Sequence, residues 1–331
     1  MKKNLLKAGL AALGLAGAIL PAAAPAAAQD FPSRTITMVV PYAPGGSTDV
    51  LGRILARGMG KALGQTVVVE NQGGAGGSIG TQRVVRAAAD GYTLVFGNTG
   101  PLAANVALYP NLGYDPRSDL APIGLGASNP MVIAASNRSG VRTLDALLGR
   151  LRSLKGEATF GNAGAGSTSH LAAALFLQIT GTQATAVGYR GVGPAMTDLT
   201  AGVIDALIDQ TLTMIPAHKG QQVVALAVAT PQRLPQLPDV PTFAEAGVGH
   251  FNMAVWNALL APAATPAPVV ARLVRALDAA LDDTEVRTRL GELAAVLPEG
   301  EGRGPEPLRQ LIAGEVERWG VTIREAGIRV E

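Results

Sequence analysis

Cysteine is absent from the sequence. That excludes disulfides and thiol chemistry. It also excludes a lipid anchor, which needs a cysteine at the cleavage point. Metal-ligand spacing is missing as well, so no metal is expected. His218 and His250 belong to no constellation and read as surface residues. There is no phosphate-binding P-loop, and Gly74-Ala75-Gly76 and Gly164-Ala165-Gly166 lack the spacing of a dinucleotide fingerprint. No cofactor is expected.

Long apolar runs are also scarce. One stands out, Ala8 to Leu20, preceded by Lys2, Lys3 and Lys7 and followed by alanine-rich Pro21 to Ala28. It is shorter than the roughly 20 residues that span a bilayer. The pattern predicts a secretory signal peptide over 1–28, cleaved before Gln29. Its removal leaves 303 of 331 residues, about two domains at roughly 150 residues each. It also takes away three of the 27 basic residues and none of the 25 acidic ones, so the net charge moves from +2 to −1. The pI near 9.0 belongs mostly to the leader. A near-neutral mature chain argues against nucleic acid as partner. The expectation is a monomer, free in the periplasm and not lipid-anchored.

What the sequence does have is glycine placed where strands run into helices. Met38-Val39-Val40 reads as the end of a buried strand; Pro41-Tyr42-Ala43-Pro44-Gly45-Gly46-Ser47-Thr48-Asp49 follows; then Val50, Leu51, Ile54, Leu55, Met59, Ala62 and Leu63 recur at helical spacing. Ser, Thr and Asp are favoured helix caps. The first N–H groups of a helix have no internal partner and carry partial positive charge. Glycine lets another molecule approach that backbone, so the segment is a small-anion site. A second copy runs from Ala158-Thr159-Phe160 through Gly161-Asn162-Ala163-Gly164-Ala165-Gly166-Ser167-Thr168-Ser169-His170 into Leu171, Leu175 and Ile179. Two anion-seeking turns, one per lobe, are expected to face each other across a cleft.

The rest of the chain fits two α/β lobes. Thr66 to Glu70 and Tyr92 to Gly97 read as strands around a helix near Ile79 to Ala88, which implies a parallel-rich sheet with helices on both faces. Tyr42, Ser47, Asn98 and Thr99 fall at carboxyl ends of strands, where such sheets bind ligands. Ile123 to Ala135 and Phe251 to Leu260 are extended and read as two hinge crossings. The expected division is 29–130 with 251–331 for lobe 1 and 131–250 for lobe 2. In lobe 2, Thr143 caps a helix to about Leu154, Thr185 to Tyr189 is a strand, and Val203 to Asp209 is a strand that brings Asp209 and Gln210 to the same rim. Three amphipathic helices close the chain. On the last, Leu308, Ile312, Val316, Trp319 and Ile323 form a core stripe.

Phe31-Pro32-Ser33-Arg34-Thr35-Ile36-Thr37, Pro41 to Asp49, Val67-Val68-Val69-Glu70-Asn71, Gly74-Ala75-Gly76-Gly77, Asp90-Gly91-Tyr92-Thr93-Leu94 and the ending Trp319…Ile323-Arg324-Glu325-Ala326-Gly327-Ile328 resemble the Bug/TctC family across the whole mature chain. Those are periplasmic receptors of tripartite tricarboxylate transport systems. The resemblance implies a type II periplasmic-binding-protein fold, no catalysis, a small organic carboxylate as ligand, and membrane permease subunits as partners. Carried over by position, it implies ligand contact at Tyr42, Ala43, Gly45, Gly46, Ser47 and Asp49, and at Gly164, Gly166, Ser167, Thr168, Ser169 and His170. Tyr189, Arg190, Gly191 and Asp209 line the cleft in the family pattern. Gln72-Gly73 and Asn98-Thr99-Gly100-Pro101 depart from it.

Several of these residues have a plainer reading. Asp49 is either a ligand contact or a charge at a helix start. His170 either donates to a carboxylate or packs beside its turn. Arg190 either pairs with a carboxylate or is solvated. Asp209 accepts either from a ligand ammonium or hydroxyl or from a neighbour in its own lobe. Trp256 walls the cleft or fills the core. Two other functions compete: a ligand-presenting sensor protein for a receptor kinase, and a secreted serine hydrolase at Gly76-Gly77-Ser78-Ile79-Gly80. The hydrolase motif needs a strand running straight into its serine, and here a glycine-rich loop intervenes.

Overall fold

The structure is a computed structural model that describes residues 31–249, 251 and 253–329. The leader expected over 1–28 and His250 lie outside the described residues. In the first lobe β1 (Ile36–Val40) is buried along almost its whole length, as a short apolar run between helical layers must be. It pairs in parallel with β2 (Val67–Asn71) and β3 (Thr93–Asn98). Helices α1 (Ser47–Leu63) and α2 (Ser78–Val85) connect them. A π-helical turn, Gly100–Ala104, and α3 (Asn105–Leu108) follow β3.

The 17-residue β4 (Leu120–Ser136) joins the lobes. Its first half runs antiparallel to β9 (Ala254–Pro262), ending with Pro130 opposite Ala254. From Met131 onward it pairs instead with β7 (Ala206–Gln210) and β8 (Val223–Val228). β9 also pairs antiparallel with β3. In the second lobe α4 (Leu144–Leu154) precedes β5 (Thr159–Asn162), which lies parallel to β6 (Thr185–Gly188) and β7. Helices α5 (Thr168–Thr180), α6 (Val192–Ala201) and α7 (Thr211–Lys219) complete that lobe. The strand order is β2-β1-β3-β9-β4-β7-β5-β6, with β8 on β4. Each lobe therefore carries a parallel set of strands, and the two joining strands β4 and β9 pair antiparallel with each other and with the strands of both lobes. This is the two-lobed α/β architecture expected from the alternation of elements.

Three helices end the chain: α8 (Ala267–Asp282), α9 (Thr284–Glu292) and α10 (Pro305–Glu325). The α10 stripe is buried, but it serves two cores. Leu308, Ile312 and Val316 pack with Val39, Val95 and Leu260, while Trp319 and Ile323 pack with Phe160, Phe176 and Phe243 of the second lobe. Trp256 is core: it sits with Val39 and Leu260 and donates from Nε1 to Glu315 at 3.1 Å.

Thr143 caps α4, its hydroxyl accepting from the Ala146 N–H at 3.1 Å. Thr143→Ala is expected to remove about 1 kcal/mol of stability. A thermal melt should then drop by roughly 1–2 °C for a chain of this size, and an unchanged melt would mean the cap is not made in solution.

Candidate functional site

The first turn is built around an uncapped helix. Gly45 takes φ +86°, and the N-cap of α1, Gly46, is extended and offers no side chain to the first N–H groups. The nearest acid does not fill that role. Asp49 bends back to accept from the Gly45 N–H at 2.9 Å, from Asn71 Nδ2 at 2.8 Å and from Arg53 Nε at 3.1 Å. Its charge is met by Arg53, and its place is to shape the turn.

The second turn is held differently. Gly164 and Gly166 both take positive φ, at +100° and +81°. Ser167 caps α5 by accepting from the His170 N–H at 3.2 Å. Ser169 Oγ accepts from the Ala163 N–H at 2.8 Å, and Asn162 Oδ1 from the Gly164 N–H at 2.9 Å. His170 Nδ1 accepts from the Gly166 N–H at 3.3 Å, and burial pushes its pKa down, which favours the neutral ring that can accept. His170 thus braces the turn.

The two helix starts converge on one small cavity of about 20 Å³, room for about one water. Tyr42, Gly46, Ser47, Thr48, Asp49 and Asn98 line it from the first lobe, and Ala163, Thr168, Ser169, Val192, Asp209 and Gln210 from the second. A polar chain runs behind it. The Tyr42 hydroxyl donates to Asn98 Oδ1 at 2.9 Å, Asn98 Nδ2 to Thr48 Oγ1 at 3.0 Å, and Thr48 Oγ1 to Asn257 Oδ1 at 2.9 Å. Gln210 Oε1 then accepts from both Asn257 Nδ2, at 2.8 Å, and Asn129 Nδ2, at 3.0 Å. One side chain of the second lobe so ties both hinge strands. Burial keeps the Tyr42 phenol protonated, raising its pKa well above the usual value.

Asp209 is the second carboxyl of this cavity, and unlike Asp49 it is held by hydroxyls and not by an arginine. Its Oδ2 accepts from Ser47 Oγ across the cleft at 2.8 Å and from Thr213 Oγ1 at 2.6 Å. Loss of water on burial raises its pKa to about 6, against the lowering effect of those hydroxyls and the Gln210 N–H.

Other expected residues stand beside the cavity and not in its wall. Ala43 donates its N–H to the Arg190 carbonyl at 2.9 Å, a contact between the lobes, while the Arg190 side chain is exposed. Tyr189 donates to Asp198 at 2.6 Å. Thr99 is buried with its hydroxyl unpartnered. Gly45, Gly164, Gly166, Ser167, His170 and Gly191 shape the turns or their contact with the opposite lobe. Residues that sequence reasoning did not single out include Val192, Thr213, Asn129 and Asn257. Val192 and Thr213 carry no signal of their own. Asn129 and Asn257 had one: each is a lone amide inside an apolar strand.

Ser78, the serine of the hydrolase-like motif, accepts from Asn105 Nδ2 at 3.0 Å. Among the described residues, no group of His, Cys, Asp and Glu is placed to hold a metal ion.

Residues 51–328 match the family described as "Tripartite tricarboxylate transporter family receptor". The chain belongs to that family. This receptor is 36% identical to protein BugT of Bordetella pertussis over 323 residues, 97% of this chain and 98% of that one. Its fold matches the periplasmic binding protein BugD with a TM-score of 0.88 at 37% identity, covering 91% of this receptor and 100% of that chain. It matches MatC of Rhodopseudomonas palustris, solved with bound malate, with a TM-score of 0.85 at 39% identity over 88% and 100% of the two chains. The receptor is a periplasmic solute-binding protein of the Bug/TctC type with the two-lobed α/β fold of that group. No described helix is long and apolar enough to cross a membrane.

Proposed function

We propose that the receptor, exported by its leader and acting as a monomer, captures a small organic carboxylate between the first turns of α1 and α5 and hands it to membrane permease subunits. The observation that carries this reading is the convergence of two helix N-termini on one buried cavity, one of them without a side-chain cap. Each terminus contributes roughly 0.3–1 kcal/mol to an anion, and about 2 when partly buried. Charge-assisted hydrogen bonds add roughly 1.5–3 kcal/mol each. Together they reach the roughly −8 kcal/mol of a micromolar receptor. Malate bound in MatC, which shares this fold, supports a small acid as the ligand. Contacts from both lobes to one ligand favour closure about β4 and β9.

A thermal-shift screen with malonate, succinate, malate, adipate, benzoate and aspartate tests the reading. At about 100 times Kd an acid should add roughly 2.7 kcal/mol, or roughly 4 °C. The matching amides should not. Shifts as large with the amides, or none with any acid, would refute carboxylate capture.

A further inference from the structure

Glycines of each lobe touch the backbone of the other at the cleft mouth, outside the cavity wall. A Cβ added to Gly191 would stand 2.6 Å from the Ala43 nitrogen and 3.0 Å from the Ala43 Cβ. One on Gly193 would run into the Pro44 carbonyl oxygen, one on Gly73 into the Arg190 carbonyl oxygen, and one on Gly76 into the Ala165 carbonyl oxygen. Each pair joins one lobe to the other. Two hydrogen bonds close the same seam: Ala43 N–H to the Arg190 carbonyl at 2.9 Å, and the Tyr109 hydroxyl to the Ala165 carbonyl at 2.7 Å.

The second lobe itself has no need of glycine at 191 and 193. Gly191 is extended at φ 167°, a conformation open to any residue. Gly193 lies in the first turn of α6, in helical backbone that alanine adopts readily. The atoms crowding either added Cβ all belong to the first lobe.

We propose that Gly191 and Gly193 are positioning residues for ligand capture. They let the two backbones meet when the lobes shut, so one methyl group at either site wedges the cleft and weakens capture without touching the ligand. This rests on the capture reading above.

The absence of native cysteine gives a direct test. Val68 in the first lobe and Val203 in the second are 46% and 63% exposed. Val68→Cys and Val203→Cys in the full mature chain carry spin labels, and electron–electron distances are measured with and without excess succinate. The parent should show a short-distance, closed population. Gly191→Ala and Gly193→Ala should each reduce it roughly tenfold, because that ratio needs only about 1.4 kcal/mol of wedge. Without succinate, Gly193→Ala should melt no lower than the parent. Gly149→Ala, whose added Cβ meets nothing within 4 Å, should behave as the parent. Variants that retain the parent's short-distance population overturn the proposal, and so does a parent that never shows one. If no acid in the screen binds but the closed population exists and the wedges remove it, the seam stands and carboxylate capture falls.

Discussion

Gly46→Asp is expected to abolish carboxylate binding while leaving the protein at least as stable as before. Gly46 is the N-cap of α1 with φ −83°, so a side chain meets no backbone objection. A Cβ there reaches Val192 Cβ at 3.4 Å, an ordinary contact. Aspartate is a better N-cap than glycine by a few tenths of a kcal/mol. Its carboxylate would bond the same N–H groups that the ligand needs and repel the ligand's charge. Losing two charge-assisted bonds, roughly 3–6 kcal/mol, weakens Kd by roughly 10² to 10⁴. Gly46→Asn occupies the N–H groups without the charge and should lose less. Calorimetric titration with the best acid of the screen, beside a melt of each variant, checks both halves. Binding that survives Gly46→Asp would remove α1 as the anion seat. Gly166→Asp is a poorer probe: Gly166 has φ +81° and an added Cβ collides with Asn105 Oδ1, so fold and binding would fall together.

The contrast between those glycines shows what the sequence makes legible and what it does not. Strand, glycine-rich turn and helix start were readable at both sites because each is a local event: apolar run, turn residues, cap, helical spacing. The hinge strands were readable for the same reason, as long extended apolar segments between polar loops. α7 was not, because Pro216 interrupts it and almost every side chain is buried, which leaves no 3.6-residue periodicity to detect. The division of labour among polar residues was also out of reach. Asp49 and His170 each have two readings in sequence, ligand contact or local packing; in three dimensions Asp49 accepts from Arg53 and Asn71, and His170 from the Gly166 N–H. Conversely, Thr48, Asn257, Gln210 and Asn129 lie 209 residues apart at their extremes, and only folding makes them one network. The family pattern marks Gly191 only as cleft lining and leaves Gly193 unremarked, since the atoms that crowd both lie in the opposite lobe.

The second large effect concerns Asp209 and pH. Its carboxyl titrates near 6 in the folded protein against an ordinary 3.8, with burial as the first cause. Between those values the folded state binds more protons than the unfolded one, so stability from this group is complete below about pH 4 and is lost as pH rises through 6. Two pKa units correspond to about 3 kcal/mol. Asp209→Asn removes the titrating group and leaves an amide oxygen to accept from Ser47 and Thr213. Urea unfolding of parent and variant should therefore diverge from pH 4 to pH 7 by about 3 kcal/mol, in favour of the variant at the higher pH. Parallel curves would mean that Asp209 is not buried as an acid. The same sign governs capture. A carboxylate seated at α1 faces the Asp209 carboxyl through Ser47, and two like charges in a water-poor cavity repel strongly. A proton on Asp209 removes that repulsion, so binding of an acid by the parent should weaken as pH rises from 5 to 7. In Asp209→Asn that weakening should be absent for a monoacid such as benzoate, because among the described residues the carboxyl of the cavity wall that lacks a cationic partner has then been replaced.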